Sequence, residues 1–175
     1  MKERKRIAVD MDNVMADITS QLSDWYYRRT GIWVGEEQML GHSETTVFPD
    51  PAMARGFLYE PGFFYELKVL PDAQEVLAEM NKHHDIYIVS AAMEFPNSLI
   101  EKYRWLEKHF PFLGWQQFVL CGSKEIIKAD WLIDDHLKNL DYFDGEKLLF
   151  YAPHNVGITK YRRVNNWKEV AEIFL

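Results

Sequence analysis

Short apolar runs alternate with amphipathic stretches over most of the chain. Residues 7–10, 85–90, 118–121, 131–133 and 147–151 are compact runs of Ile, Val, Leu, Phe and Tyr. Such runs read as strands buried on both faces. Between them the spacing changes to helical. Asp17 reads as an N-cap before Ile18, Leu22, Trp25 and Tyr26, and Gly31 ends that helix. Residues 72–83 carry Val76, Leu77 and Met80 on one face, and residues 97–109 carry Leu99, Ile100, Tyr103 and Leu106. Two further helices are expected over 136–143 and 167–174. Strands alternating with helices predict an α/β fold, a Rossmann-like parallel sheet with helices on both faces. Residues 32–67 break the rhythm, with Gly35, Gly41, Pro49, Pro51, Gly56 and Pro61-Gly62 punctuating short segments. They fit a small inserted helical unit.

Composition narrows the possible partners. The net charge is −7, from 20 Lys and Arg against 27 Asp and Glu. This excludes polymeric nucleic acid and anionic membranes as partners, because both rely on a broad basic field. A small phosphate ligand stays open if cations are focused locally. The single cysteine, Cys121, cannot form an internal disulfide, so a cytoplasmic location is expected. The basic stretch Lys2 to Arg6 is followed by too few apolar residues for a signal peptide.

In a parallel sheet the ligand site lies beyond the carboxyl ends of the strands. Four predicted strands end in chemistry: Asp10 and Asp12 after the first, Ser90 at the second, Lys124 just beyond the third, and Asp134-Asp135 after the fourth. Like charges this close are costly unless a cation or proton is shared. Aspartate oxygens suit Mg²⁺, while a lysine and a hydroxyl suit phosphate oxygens. One aspartate can attack phosphorus and another, two residues on, can exchange a proton with the leaving oxygen and with water. The set points to metal-assisted phosphoryl transfer. Asp134-Asp135 could also serve as an N-cap pair for the helix that follows, a role compatible with metal binding.

Asp10-Met11-Asp12-Asn13-Val14, Ser90, Lys124 and Asp134-Asp135 resemble the four motifs of the haloacid-dehalogenase-like (HAD) phosphatases. Asp10 to Asp17, Tyr59-Glu60-Pro61-Gly62-Phe63-Phe64 and Glu101-Lys102-Tyr103-Arg104-Trp105 carry a closer resemblance, to the 5′(3′)-deoxyribonucleotidases of that superfamily. The resemblance implies an Mg²⁺-dependent enzyme that hydrolyses nucleoside monophosphates through an aspartyl-phosphate. Asp10 would be the nucleophile and Asp12 the general acid and base. Asp10, the backbone carbonyl of Asp12, and Asp135 would hold the metal, with Asp134 supporting the metal site. Ser90 and Lys124 would grip phosphate. The resemblance also implies a core of residues 1–16 and 71–175 with a small helical cap over 17–70, and Tyr59, Phe63, Phe64 and Ile18 would stand near the nucleoside. The chain has Asn13 where these enzymes usually have Gly, Ile18 where an aromatic is common, and Ser90 where many have Thr.

Other residues read as structural. Lys102 and Arg104 fit a solvated helix face, and Cys121 fits a buried inert thiol. His83-His84, His136 and His154 lack metal-ligand spacing. Tyr161-Arg162-Arg163 reads as a basic surface loop. The aromatic stretch Trp25 to Trp33 suits either cap core or a homodimer interface. Two competing functions remain at this level: a phosphatase for a sugar phosphate, and a non-catalytic nucleotide-sensing module.

Overall fold

The structure is a computed structural model describing residues 3–175. Met1 and Lys2, the start of the basic stretch and of the expected core, lie outside the described residues. Six strands form one parallel sheet: β1 Arg6–Val9, β2 Asp85–Ser90, β3 Phe118–Leu120, β4 Trp131–Asp134, β5 Glu146–Phe150 and β6 Arg162–Val164. Their order is β3-β2-β1-β4-β5-β6. The order reverses between β1 and β4, so a crevice opens beyond the carboxyl ends of these two strands. Side chains alternate strictly between the two faces. Ile7, Val9, Ile86, Ile88, Ile133, Leu148 and Phe150 enter the large core, and Ala8, Val89, Leu132 and Leu149 enter a smaller one on the other face.

The helices are α1 Ile18–Thr30, α2 Glu36–Met39, α3 Pro51–Gly56, α4 Ala73–His83, α5 Ser98–His109, α6 Leu137–Tyr142 and α7 Trp167–Phe174. Asp17 caps α1 by accepting from Ser20 N at 2.8 Å, and Gly31 ends it in the left-handed region at φ 73°. Helices α4, α5 and α7 contribute Leu77, Trp105 and Val170 to the large core, while α6 covers the small one with Leu140. Among the described residues no helix is long and apolar enough to cross a membrane.

The segment between β1 and α4 leaves and returns through one stem, where Asp17 N donates to Lys68 O and Leu70 N donates to Met15 O. Its own aromatic core packs Trp25 on Phe57 and Phe63, and Tyr26 on Phe48. The stretch from Trp25 to Trp33 therefore divides. Tyr26 is buried, whereas Tyr27 and Trp33 are about half exposed and meet edge to face.

Three local expectations are corrected. A sixth strand, Arg162–Val164, replaces the basic surface loop. Pairing with β5 places Arg163 so that its guanidinium donates to Asn155 Oδ1, Asn155 O and Ile158 O, binding the loop after β5. Cys121 lies just past the end of edge strand β3 and is only partly buried, because among the described residues no further strand pairs with the outer side of β3. Helix α5 is turned from its expected face: Ser98, Lys102, Trp105 and Leu106 are buried, and Ile100 is 52 % exposed. Specific bonds set this rotation, chiefly Trp105 Nε1 donating to Leu67 O at 2.7 Å and Ser98 Oγ donating to Ala92 O at 2.9 Å.

Candidate active site

Asp10 continues the β1 ladder, its N–H donating to Ile133 O at 2.9 Å. The chain then coils tightly: Met11 O accepts from Met15 N and Ala16 N, and Met11, Val14, Met15 and Ala16 are fully buried. This packing fixes Asp12 just beyond Asp10. Asn13 takes a left-handed conformation at φ 55°, which Asn tolerates better than most residues. Its side chain also links two elements that a glycine could not. Oδ1 accepts from Thr19 N and Oγ1, and Nδ2 donates to Glu44 Oε1 at 3.2 Å.

Asp10, Asp12, Ser90 and Lys124 line one cleft of about 270 Å³. Lys124, buried to 3 % side-chain exposure, donates to Asp10 Oδ1 and, at 2.6 Å, to Asp134 Oδ2. Burial works against its charge, but Asp10 and Asp134 more than compensate and raise its pKa. Burial lifts the Asp10 carboxyl to about 6, with Lys124 pulling it down and Asp134 and Asp12 pushing it up.

The two acids after β4 differ. Asp134 is fully engaged, accepting from Lys124, from His136 N at 2.9 Å and from Asn139 Nδ2 at 3.0 Å. The Asp135 side chain is 1 % exposed, and neither carboxylate oxygen has a hydrogen-bond partner. Burial pushes its pKa well above the usual carboxylate range; the charge on His136, 3.9 Å from Oδ2, pulls it back, and Asp10, Asp134 and Glu44 push it up. Asp10, Asp134 and Asp135 can bring one oxygen each to within 4.8 Å of the others. A buried, unpartnered carboxylate beside two more acids is the donor set that a hard divalent cation fits. The backbone of Asp135 is held from behind, its carbonyl accepting from Asn155 Nδ2 at 2.9 Å.

The remaining sequence-derived residues separate. Ile18 and Phe64 line the cleft together with Leu22, Leu58 and Phe95. Phe63 is fully buried against Trp25 and does not reach the cleft. Tyr59 is 47 % exposed, packs edge-on against Phe95, and is not part of the lining. Arg55 and Glu94, paired at 3.1 Å and about half exposed, also line the cleft.

Sequence reasoning missed Lys102. Its side chain is 2 % exposed, and Nζ donates to Asp12 Oδ2 at 2.5 Å and to Ser90 Oγ at 2.9 Å. The ammonium also lies 4.6 Å from the centre of the Phe64 ring. The only signal was its place in the Glu101-to-Trp105 motif. That motif spans two bodies of structure: Glu101 accepts from the backbone N–H groups of Gly62, Phe64 and Tyr65 at 2.6, 3.0 and 3.2 Å, while Lys102 reaches the cleft. His136 and His154 were also missed as neighbours. Their rings stack with centroids 4.3 Å apart, beside Glu44 and Asp135. Burial lowers the pKa of both, but Asp135 and Glu44 raise His136 to about 9, whereas the charge on His136 further lowers His154.

A parallel sheet in this order, with carboxylates from the β1 and β4 ends meeting a lysine from beyond β3, defines a haloacid-dehalogenase-like hydrolase core. The same fold is found in a haloacid-dehalogenase-like hydrolase of Streptococcus pneumoniae, with a TM-score of 0.63, 13 % identity and full coverage of both chains. It is also found in a HAD hydrolase of Bacillus subtilis described as bound to magnesium, with a TM-score of 0.62, 13 % identity and 99 % of each chain covered. The family described as "5′ nucleotidase, deoxy (Pyrimidine), cytosolic type C protein" matches residues 4–175, and the chain belongs to it. A Staphylococcus aureus protein provisionally named 5′(3′)-deoxyribonucleotidase is 44 % identical over 173 residues, covering 98 % of this chain and 96 % of that protein. The 5′(3′)-deoxyribonucleotidase of Bacillus subtilis strain 168 is 37 % identical over 177 residues, covering 95 % and 96 %. The chain is thus a phosphoric monoester hydrolase of the nucleotidase type.

Proposed function

We propose that this enzyme removes phosphate from deoxyribonucleoside monophosphates by in-line transfer to Asp10, with Mg²⁺ as its cofactor. The observation that carries the reading is the buried Asp135 carboxylate, without a hydrogen bond among the described residues, which lies beside Asp10 and Asp134 next to the cleft that Asp10, Lys102 and Lys124 line. Asp10, the Asp12 carbonyl and Asp135 would hold the ion, and Asp134, saturated by Lys124, His136 N and Asn139, would fix the arrangement from behind. When bound, Mg²⁺ supplies positive charge that keeps Asp10 ionised and offsets the repulsion between carboxylates and phosphate.

Ser90, Lys102 and Lys124 are the phosphate-holding groups, two ammoniums and a hydroxyl on one cleft wall. An Asp10 oxygen attacks phosphorus, the ester P–O bond breaks, and the departing sugar oxygen takes a proton from Asp12. Asp12 then removes a proton from water, the water oxygen attacks phosphorus, and the bond to Asp10 breaks to release phosphate. Lys102 grips Asp12 Oδ2 and so orients the carboxyl, leaving Oδ1 for proton exchange.

The segment 17–70 acts as a cap over this chemistry, excluding bulk water. Its Ile18, Leu22, Leu58 and Phe64, with Phe95 from the core, make an apolar and aromatic wall. Such a wall suits the flat face of a nucleobase better than a free sugar, which favours a nucleotide over a sugar phosphate. No motif residue is missing, which speaks against a purely sensing role. The lone Cys121 and the named relatives fit a soluble enzyme of a reducing cytoplasm. Phosphate release measured across the common ribo- and deoxyribonucleoside monophosphates and a panel of sugar phosphates, with and without Mg²⁺, tests the reading. Preference for a sugar phosphate, or nucleotide binding without Mg²⁺-dependent release, would overturn it.

A further inference from the structure

We propose that Glu44, Asp135, His136 and His154 form a second metal site, selective for a divalent first-row transition ion with zinc as the best fit. Four donors, two imidazole nitrogens and two carboxylate oxygens, come to within 4.8 Å of one another. Glu44 Oε1 lies 3.4 Å from His154 Nδ1 and 3.5 Å from His136 Nε2, and Asp135 Oδ2 lies 3.9 Å from His136 Nε2. A tetrahedral ion with bonds of about 2.05 Å requires donor-to-donor edges of about 3.3 Å. The two Glu44 separations are already near that value, and the Asp135–His136 separation has to shorten by about half an ångström. The rings are stacked within 15° of parallel, so binding requires one ring to turn and His136 to give up its Nε2 proton to the ion's competition.

A second observation makes this more than a charged cluster. His154 is nine-tenths buried, and its Nδ1 has no hydrogen-bond partner. The other nitrogen, Nε2, lies 3.1 Å from the Asp135 carbonyl. A carbonyl only accepts, so Nε2 carries the proton and Nδ1 presents a bare lone pair into the cluster. This is the arrangement of a metal-binding histidine: one ring nitrogen fixed by a backbone carbonyl, the other left free. Asp135 adds two buried oxygens with no partner of their own. One can serve the Mg²⁺ site of the reading above while the other turns toward the histidines, making Asp135 a bridge between unlike ions. Imidazole donors favour zinc and its neighbours and discriminate against Mg²⁺, which prefers oxygen.

The placement gives the site a consequence. Glu44 belongs to the inserted segment and also accepts from Asn13 Nδ2, while Asp135, His136 and His154 belong to the loops after β4 and β5. An ion here ties the inserted segment to the loops beyond the sheet.

Cobalt is the probe, added to the intact protein with Mg²⁺ saturating. The expected result is visible absorption of a four- or five-coordinate, nitrogen-containing cobalt site, displaced by zinc and not by Mg²⁺. His154→Gln and His136→Gln should each weaken binding by about tenfold or more. An absorption no stronger than that of cobalt in water overturns the proposal. So does one that Mg²⁺ abolishes and His154→Gln leaves alone, because the ion then sits only among Asp10, Asp134 and Asp135. Wild-type protein gives a check that needs no variant: with Mg²⁺ already saturating, added zinc should move the His154 Nδ1 and His136 Nε2 nitrogen resonances. Unmoved resonances with zinc in excess overturn the proposal. Mg²⁺-dependent phosphate release is assayed separately, so loss of the second site and failure of the nucleotidase reading remain distinguishable.

Discussion

Lys102 Nζ stands 2.5 Å from Asp12 Oδ2 and 2.9 Å from Ser90 Oγ, joining a helix of the core to the two strand ends that face the cleft. The ammonium is buried, so the pair is not a screened surface bridge. Replacing Lys102 with Met should lower kcat/KM for phosphate release on the order of 10²-fold, the scale for losing one positioned charge in an active site. Lys102→Arg should recover part of the loss. Steady-state kinetics with a thermal melt of each variant checks this; a Lys102→Met enzyme within twofold of wild type would remove Lys102 from the site.

Asp10→Asn should abolish turnover while circular dichroism remains native, since Lys124 keeps Asp134 as a partner. Asp12→Asn should slow both halves of the reaction, seen in single-turnover experiments as slower phosphate transfer and slower release. An unchanged burst and steady rate would rule out the proton-exchange role.

The Asp135 carboxylate is buried without a hydrogen bond among the described residues, and the imidazoles of His154 and His136 at 3.6 and 3.9 Å only partly offset the cost of its charge. Its folded pKa is raised, so the unfolded chain ionises first and the cost grows as pH climbs from the usual carboxylate range through the folded value. At neutral pH, Asp135→Asn should therefore raise the melting temperature of the metal-free protein by about 2 °C or more. It should also weaken the Mg²⁺ dependence of activity by at least about tenfold. A drop in melting temperature would contradict the first expectation.

Protons and Mg²⁺ should compete at Asp10. With its carboxyl at about 6 in the metal-free protein, the ion must displace a proton below that pH. The Mg²⁺ concentration for half-maximal activity should rise about tenfold per pH unit below about 6 and level off above it. A half-saturation point constant from pH 5 to 8 would exclude this coupling.

Glu101 holds the 62–65 turn by three backbone N–H groups. Glu101→Ala leaves those donors without their partner and should cost about 1.5–3 kcal/mol of unfolding free energy. Because the turn carries Phe64 into the cleft, KM should rise more than kcat falls. Denaturant melts and kinetics together check it, and an unchanged melting midpoint would show the clasp to be dispensable.

The strand ends were legible because chemistry there is written in short, dense words. Asp10, Asp12, Ser90, Lys124 and Asp134-Asp135 each follow an apolar run, and a parallel sheet must bring such ends together. Asp17 and Gly31 marked the bounds of α1 by local rules alone. Features that depend on contacts between distant segments were not legible. The apolar residues of α5 suggested one face, but Trp105 and Ser98 found partners on the loops above and turned the helix so that Lys102 faces inward. Strand β6 was hidden because Arg162-Arg163-Val164 is short and charged; pairing to β5 and the bonds from Arg163 make it a strand. Tyr59 and Phe63 share a motif with Phe64, yet only Phe64 lines the cleft, since a turn sends neighbouring side chains in different directions.

The sequence by itself determined the alternation of strands and helices, hence the parallel sheet and the edge at which the acids gather. Both follow from local periodicity and from the limited ways strands can be crossed over. Only the tertiary structure decided which charges meet. Lys102 with Asp12, and His136 with His154 and Glu44, are pairings across tens of residues, fixed by how helices and loops pack on that sheet and not by any spacing along the chain.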